Sequence, residues 1–192
     1  SNVTVSDAVT AAEGKDIGDA TSGTVGYTTG VSDTLSNLSS SGSITSNLTT
    51  VTTEDADVAI TISDNAGTSV DAQDLSAVGG STTGTVTVTN AVNISGTQSQ
   101  MTAALVTAGT KVTASSSNVT VSEAVTAAEG KDIGNATSGT VAYTTGVSDT
   151  VGNLTDGDNS TSNNLDVVTT EDSDVAITVT DAVTAVQGKN IG

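Results

Sequence analysis

The sequence predicts an all-β fold, a parallel β-solenoid with short helical turns between its strands, and three observations carry that expectation. Short segments alternate Val or Ile with Thr or Ser, those segments return at a fixed interval, and hairpin dipeptides are almost absent, Asp156-Gly157 being the exception. An array of β-sandwich domains is the alternative, because the longer of two nested repeats has the length of such a domain.

The strands come first. Val3 to Val5, Val25 to Tyr27, Ile60 to Ile62, Val86 to Val88, Val119 to Val121, Val141 to Tyr143 and Ile177 to Val179 each place apolar, mostly β-branched residues at every second position. Such a segment buries one face and wets the other. Tyr27 and Tyr143 fall in register with Val88 and are assigned to the interior. Gly23, Gly84 and Gly139 precede the second strand of each unit and form its corner. Between strands, AVTAAEGKDIGDA, DAQDLSAVGG, SDTLSNL and SQMTAALVTAG space Ala, Leu, Val and Ile three and four apart before a Gly or Asn. They are expected to be one- or two-turn helices or tight loops.

The repeat sets the organisation. Residues 1–38 recur at 117–154 with five differences, and VTTEDADVAITISD at 51–64 recurs at 168–181 as VTTEDSDVAITVTD. Nested inside lies a shorter period, with strand-like segments starting at Val3, Ile60, Val119 and Ile177. The reading is one continuous array over 1–192, a fragment of a longer protein, with units at about 3–59, 60–118, 119–176 and a truncated 177–192.

Composition excludes several functions. The chain has 192 residues, 22 acidic against four basic, and a formal net charge of −18. Nucleic acid is excluded as a partner, since binding it requires clustered Lys and Arg against phosphate. His, Cys, Phe, Trp and Pro are absent. That removes thiolate zinc, a Cys nucleophile and a Ser-His-Asp triad, and it forces a thin core of Val, Ile, Ala, Leu and Thr. No apolar run approaches the roughly 18 residues of a membrane span.

The acidic knots are the candidate sites. Glu54, Asp55 and Asp57 recur as Glu171, Asp172 and Asp174, while Asp156 and Asp158 sit in TDGDNS. Carboxylates two residues apart in loops supply the hard oxygen ligands that Ca²⁺ takes, so calcium is the candidate cofactor. The bland reading is a solvated acidic rim that keeps a strand-rich protein soluble. Catalytic residues are not expected. A glycosidase needs a carboxylate pair across a sugar, and these acids repeat with the fold instead of occurring once. Eight Asn-x-Ser/Thr sequons, at Asn2, Asn37, Asn47, Asn93, Asn118, Asn135, Asn153 and Asn159, are a mild excess in a chain one third Ser and Thr.

The succession of ITVTD, a short Ala/Leu segment, TTGTVTVTN and ISGTQSQMTAAL resembles the tandem repeats of very large bacterial surface proteins, cyanobacterial ones among them, and of secreted adhesin-like or filament-forming proteins. The resemblance implies an extracellular, cell-surface location. It also implies a non-enzymatic structural role as a filament, stalk or surface-layer element that self-associates. An adhesin that binds glycans or cell surfaces is the alternative, and a polysaccharide-degrading enzyme comes third. The calcium-binding nonapeptide GGxGxDxUx of secreted toxin-type repeats does not occur, so those calcium sites do not carry over.

Overall fold

Alternating V-T-V and I-T-I triplets make strands wherever the pattern occurs, but the segments between them are longer helices than the pattern suggested. The computed structural model describes residues 1–157 and 160–192. In its first unit the order is β1 (Val3–Val5), α1 (Ala11–Asp19), β2 (Val25–Tyr27), β3 (Val31–Asp33), α2 (Leu35–Leu38), β4 (Ser39–Ser40), β5 (Ser43–Ile44) and α3 (Ser46–Glu54). The second unit carries β6 (Ile60–Ile62), β7 (Ser69–Asp71), α4 (Ala72–Gly79), β8 (Val86–Val88), β9 (Asn93–Gly96) and α5 (Gln98–Met101), which runs on into a π-helical turn at Thr102–Val106, then β10 (Val112–Thr113). The third repeats the first: β11 (Asn118–Val121), α6 (Ala127–Gly134), β12 (Val141–Tyr143), β13 (Val147–Asp149), α7 (Val151–Leu154) and α8 (Asn163–Glu171). β14 (Ile177–Val179) and α9 (Ala185–Ile191) follow.

The fold is mixed α/β. Among the described residues 37% are helical and 24% lie in strands or bridges, so the expectation of an all-β solenoid is overturned. The cause is local capping. Thr10 accepts from the Glu13 N–H at 3.3 Å while the Glu13 carboxylate accepts from the Thr10 N–H at 2.8 Å, and the same reciprocal box starts α6 at Thr126 and Glu129 and α9 at Thr184 and Gln187. Hydrogen bonds from Thr10 also hold the Glu13 carboxyl below its ordinary value. The β-sandwich alternative fails as well, because the strands pair parallel. Among the described residues, only β4 with β5 and the Thr155–Thr161 bridge run antiparallel.

Two four-stranded ladders dominate. One stacks β3, β6, β8 and β10, with Val31, Ile60, Val86 and Val112 in register; the other stacks β7, β9, β11 and β12 through Val70, Ile94, Val119 and Val141. Two-stranded pairs lie outside them, β1 with β2 and β13 with β14. Inward aliphatics from the ladders meet the helices in one cluster of buried side chains running from Ala11 to Val168, with Leu38, Leu48, Leu75, Ile94, Ile133 and Leu165 among its largest fully buried members. Burying a Leu or Ile contributes roughly 1.5–3 kcal/mol, so this aromatic-poor core works by number.

Glycines let the helices approach. A Cβ at Gly14 would stand 2.7 Å from Val51 Cγ2, and one at Gly130 2.7 Å from Val168 Cγ2, so α1 lies close on α3 and α6 on α8 because those positions carry no side chain. Gly23, Gly84 and Gly139, expected at corners, sit where the preceding layer's backbone passes: a Cβ would overlap the carbonyl oxygen of Ser1, Asp57 or Ser117.

Candidate functional site

The acidic knots close the edges of sheets. Strand β2 pairs with β1 on one side only, through bonds such as Val3 N–H to the Thr24 carbonyl and Thr28 N–H to the Val5 carbonyl. The N–H groups of Val25 and Tyr27 therefore point away from β1, and they meet the end of α3. The Asp55 carboxylate accepts from the Tyr27 N–H at 2.7 Å and Glu54 from the Val25 N–H at 3.3 Å. One long period later Asp172 accepts from the Tyr143 N–H at 2.8 Å, capping β12 in the same way. An ionised acceptor on a strand edge satisfies donors that would otherwise recruit another strand.

The middle unit shows the alternative. There β8 occupies the place of β2, and its Val86 N–H goes to the Lys111 carbonyl at 3.0 Å, at the start of β10. No acidic knot occurs at that point of the sequence, where VTAGTKVT stands, and the sheet continues. Carboxylate and extra strand are thus two solutions to one problem of unpaired backbone.

The remaining predicted site residues do not join these. Asp57, Asp156 and Asp174 are exposed, and Glu171 is half-buried beside Gly134. Asp158 lies outside the described residues, as does the sequon Asn159. Among the described residues no three acidic side chains gather into a group that could hold a metal ion. Calcium ligation by the knots therefore has no assembled ligand set here, and Asp55 and Asp172 already accept from backbone N–H groups.

A second set of carboxylates went unread in the sequence. Asp33, Asp64 and Asp149 are 7, 8 and 7% exposed. Asp33 accepts from the Ala11 N–H at 3.1 Å, the Thr34 N–H at 2.9 Å and the Asn37 amide at 2.7 Å; Asp149 repeats all three with Ala127, Thr150 and Asn153. Asp64 accepts from Leu35 N–H and Asp181 from Val151 N–H, each at 2.7 Å. Each of these aspartates ends or closely follows a strand and caps the first turn of the helix in the preceding layer, where unpaired N–H groups and the helix dipole favour an anion. The signal was the Ser-Asp or Thr-Asp that follows Val31, Ile62, Val147 and Val179. Two sequons are engaged by the same bonds, since Asn37 and Asn153 donate to Asp33 and Asp149.

Tyr27 and Tyr143 complete the arrangement. Both are buried, and their hydroxyls donate to the carbonyls of Gly14 at 2.7 Å and Gly130 at 2.6 Å inside the helices. Burial raises both phenol pKa values, helped by Glu54 and Asp55 in one copy and Glu171 and Asp172 in the other. One strand residue thus fastens a carboxylate through its backbone and a helix through its ring.

A groove of about 360 Å³ opens beside Asp64, Asp71 and Asp74, walled by Ser36, Ser69 and Thr68. Its three carboxylates are in use: Asp64 as above, Asp71 from the Gln73 N–H, and Asp74 from the Ser39 hydroxyl and the Gly42 N–H. No helix among the described residues is long and apolar enough to cross a membrane. Comparison of the chain with protein-family models, with curated proteins and with solved structures found no match.

Proposed function

We propose that this chain is a non-enzymatic structural element, a stiff repeat segment of an extracellular surface filament, stalk or surface layer. The observation that carries the reading is the destination of the acids: carboxylates repeated at the long period join one layer to the next through backbone N–H groups. Parallel ladders and one continuous core join the same layers. The repeating carboxylates of Asp33, Asp55, Asp149 and Asp172 are spent on holding neighbours together, which suits a load-carrying part. The extracellular placement and the self-association rest on the resemblance to surface-protein repeats. Binding of glycans is the second reading, favoured by the hydroxyl-lined groove beside Asp64.

Single-molecule pulling between Ser1 and Gly192 tests the proposal. A structural element ruptures in one cooperative event, and the chain shows neither saturable retention on a glycan array nor sugar release from polysaccharides. Stepwise yielding at low force sinks the structural reading, and saturable retention transfers the assignment to the adhesin.

A further inference from the structure

We infer that the outer face of the ladder of β3, β6, β8 and β10 is a binding surface for crystalline water, the face of an ice crystal. The inference goes beyond the structural reading, since it gives the flank of the segment a partner of its own.

The alternation that builds the ladder also builds the face. Val31, Ile60 and Val86 turn inward and are 1, 1 and 0% exposed, so the residue after each turns outward. Ser32, Thr61, Thr87 and Thr113 thus form one rank across four parallel rungs, paired in register. Ser63, Thr89 and Ser115 stand exposed two positions further along and form a second rank. The buried core behind the strands holds the backbone in place. Branching at Cβ holds each threonine hydroxyl and methyl in turn, because it restricts χ1.

Two features set the first rank apart from the other hydroxyls. Thr28, Thr82, Thr137 and Thr144 donate to carbonyls of the preceding layer and so help to join the layers. Among the described residues, the hydroxyls of Ser32, Thr61, Thr87 and Thr113 make no hydrogen bond within the chain, and their donor and two lone pairs are left for water. The second feature is charge. The chain holds 22 acidic residues, yet none stands at an outward position of these four strands, and Lys111 lies at the margin before β10. A charged side chain keeps a hydration shell of its own, whereas a hydroxyl takes the place of a water in a neutral network. A neutral face on so acidic a chain therefore matches a neutral lattice.

Spacing selects the lattice. Rungs about 4.8 Å apart, with outward residues about 6.7 Å apart along a strand, set the hydroxyls on a rectangular net. Both intervals lie near repeats of hexagonal ice, so waters held on this face fall close to lattice positions. Bridging waters cost little where they are already ordered.

Slow freezing of a dilute solution of the 192-residue chain tests this, with the protein measured in the growing ice and in the remaining liquid. Wild type should be enriched in the ice. Thr61→Tyr and Thr87→Tyr raise a ring above the face, and each should lower the enrichment about fivefold, as loss of a central contact does. Ser173→Tyr, exposed in the turn after α8 and away from this ladder, should leave it unchanged. Circular dichroism in the cold checks folding, and Thr113→Lys, at an exposed position, carries the same expectation where a tyrosine variant unfolds. A wild type excluded from ice overturns the inference, as does a folded Thr87→Tyr enriched like wild type or a Ser173→Tyr that falls as far. Retention on crystalline cellulose or chitin without enrichment in ice assigns the face to a polysaccharide and overturns it too. A chain excluded from ice that still ruptures in one event loses this face and keeps the structural reading.

Discussion

The carboxylate of Asp55 accepts the backbone N–H of Tyr27 across 28 positions of sequence, and Asp172 stands in the same relation to Tyr143 across 29. Each bond ties the end of a helix to the open edge of a strand. It keeps an edge donor paired where no further strand follows.

Asp55→Ala and Asp172→Ala should each cost about 1–3 kcal/mol, the usual penalty for stranding a half-buried donor. Asp57→Ala, two residues away on an exposed side chain, should stay within about 0.5 kcal/mol of wild type. Urea midpoints at constant m-value separate the two, and equal losses at Asp55 and Asp57 would refute the edge-capping role.

Alkaline pH should unfold the protein through its tyrosines. Burial and the neighbouring acids raise the pKa of Tyr27 and Tyr143 above the unfolded value near 10. Their neutral forms are favoured by folding, so that contribution is complete below about pH 10 and is lost as pH climbs toward the folded values. Absorbance of tyrosinate at 295 nm should rise together with loss of ellipticity. The double variant Y27F/Y143F should remove most of the slope of stability against pH in that range, while losing about 1 kcal/mol per hydroxyl at neutral pH.

Glycine substitutions should split by what lies opposite. Gly14→Ala gains up to about 1 kcal/mol of helix propensity. It drives a Cβ to 2.7 Å from Val51 Cγ2, on a β-branched side chain held in the core, so a net loss of about 1–3 kcal/mol is expected. Gly130→Ala should behave alike against Val168. Gly152, in α7, has nothing within 4 Å of the point where an added Cβ would stand, and Gly152→Ala should stabilise by about 0.5–1 kcal/mol. Thermal melts of the three variants decide.

Ser117 carries the one buried side-chain oxygen without a partner among the described residues. Its carbonyl accepts from Thr137 at 2.5 Å, as the Val58 carbonyl accepts from Thr82 at 2.7 Å, so serine stands where another unit has valine. Ser117→Val should raise stability by about 1 kcal/mol by removing a desolvated hydroxyl and filling the site as Val58 does. A lower melting temperature would count against that equivalence.

The strands were legible because alternation is a property of three to five neighbouring residues: Val3, Ile60 and Val86 begin strands where the pattern says they should. The helices were legible only in part. AAEGKDIG carries two glycines in eight residues, poor by propensity, and it is stabilised by packing of Gly14 against Val51 and Tyr27, which no local pattern displays. Its start was written plainly in the Thr10 and Glu13 capping box. The acids misled for a different reason. Carboxylates two apart look like ion ligands until the open edge of β2 is known, and Asp33 or Asp64 is a single letter whose partners lie 22 and 29 positions upstream.

Because the carboxylate caps tie each layer to its neighbour at offsets that agree to within one residue in both long repeats, a whole block duplicated or deleted in the gene leaves every remaining bond with a partner of the right kind. Length is then free to vary by recombination without any compensating substitution, so lineages can lengthen or shorten such an array far faster than they can alter its interior.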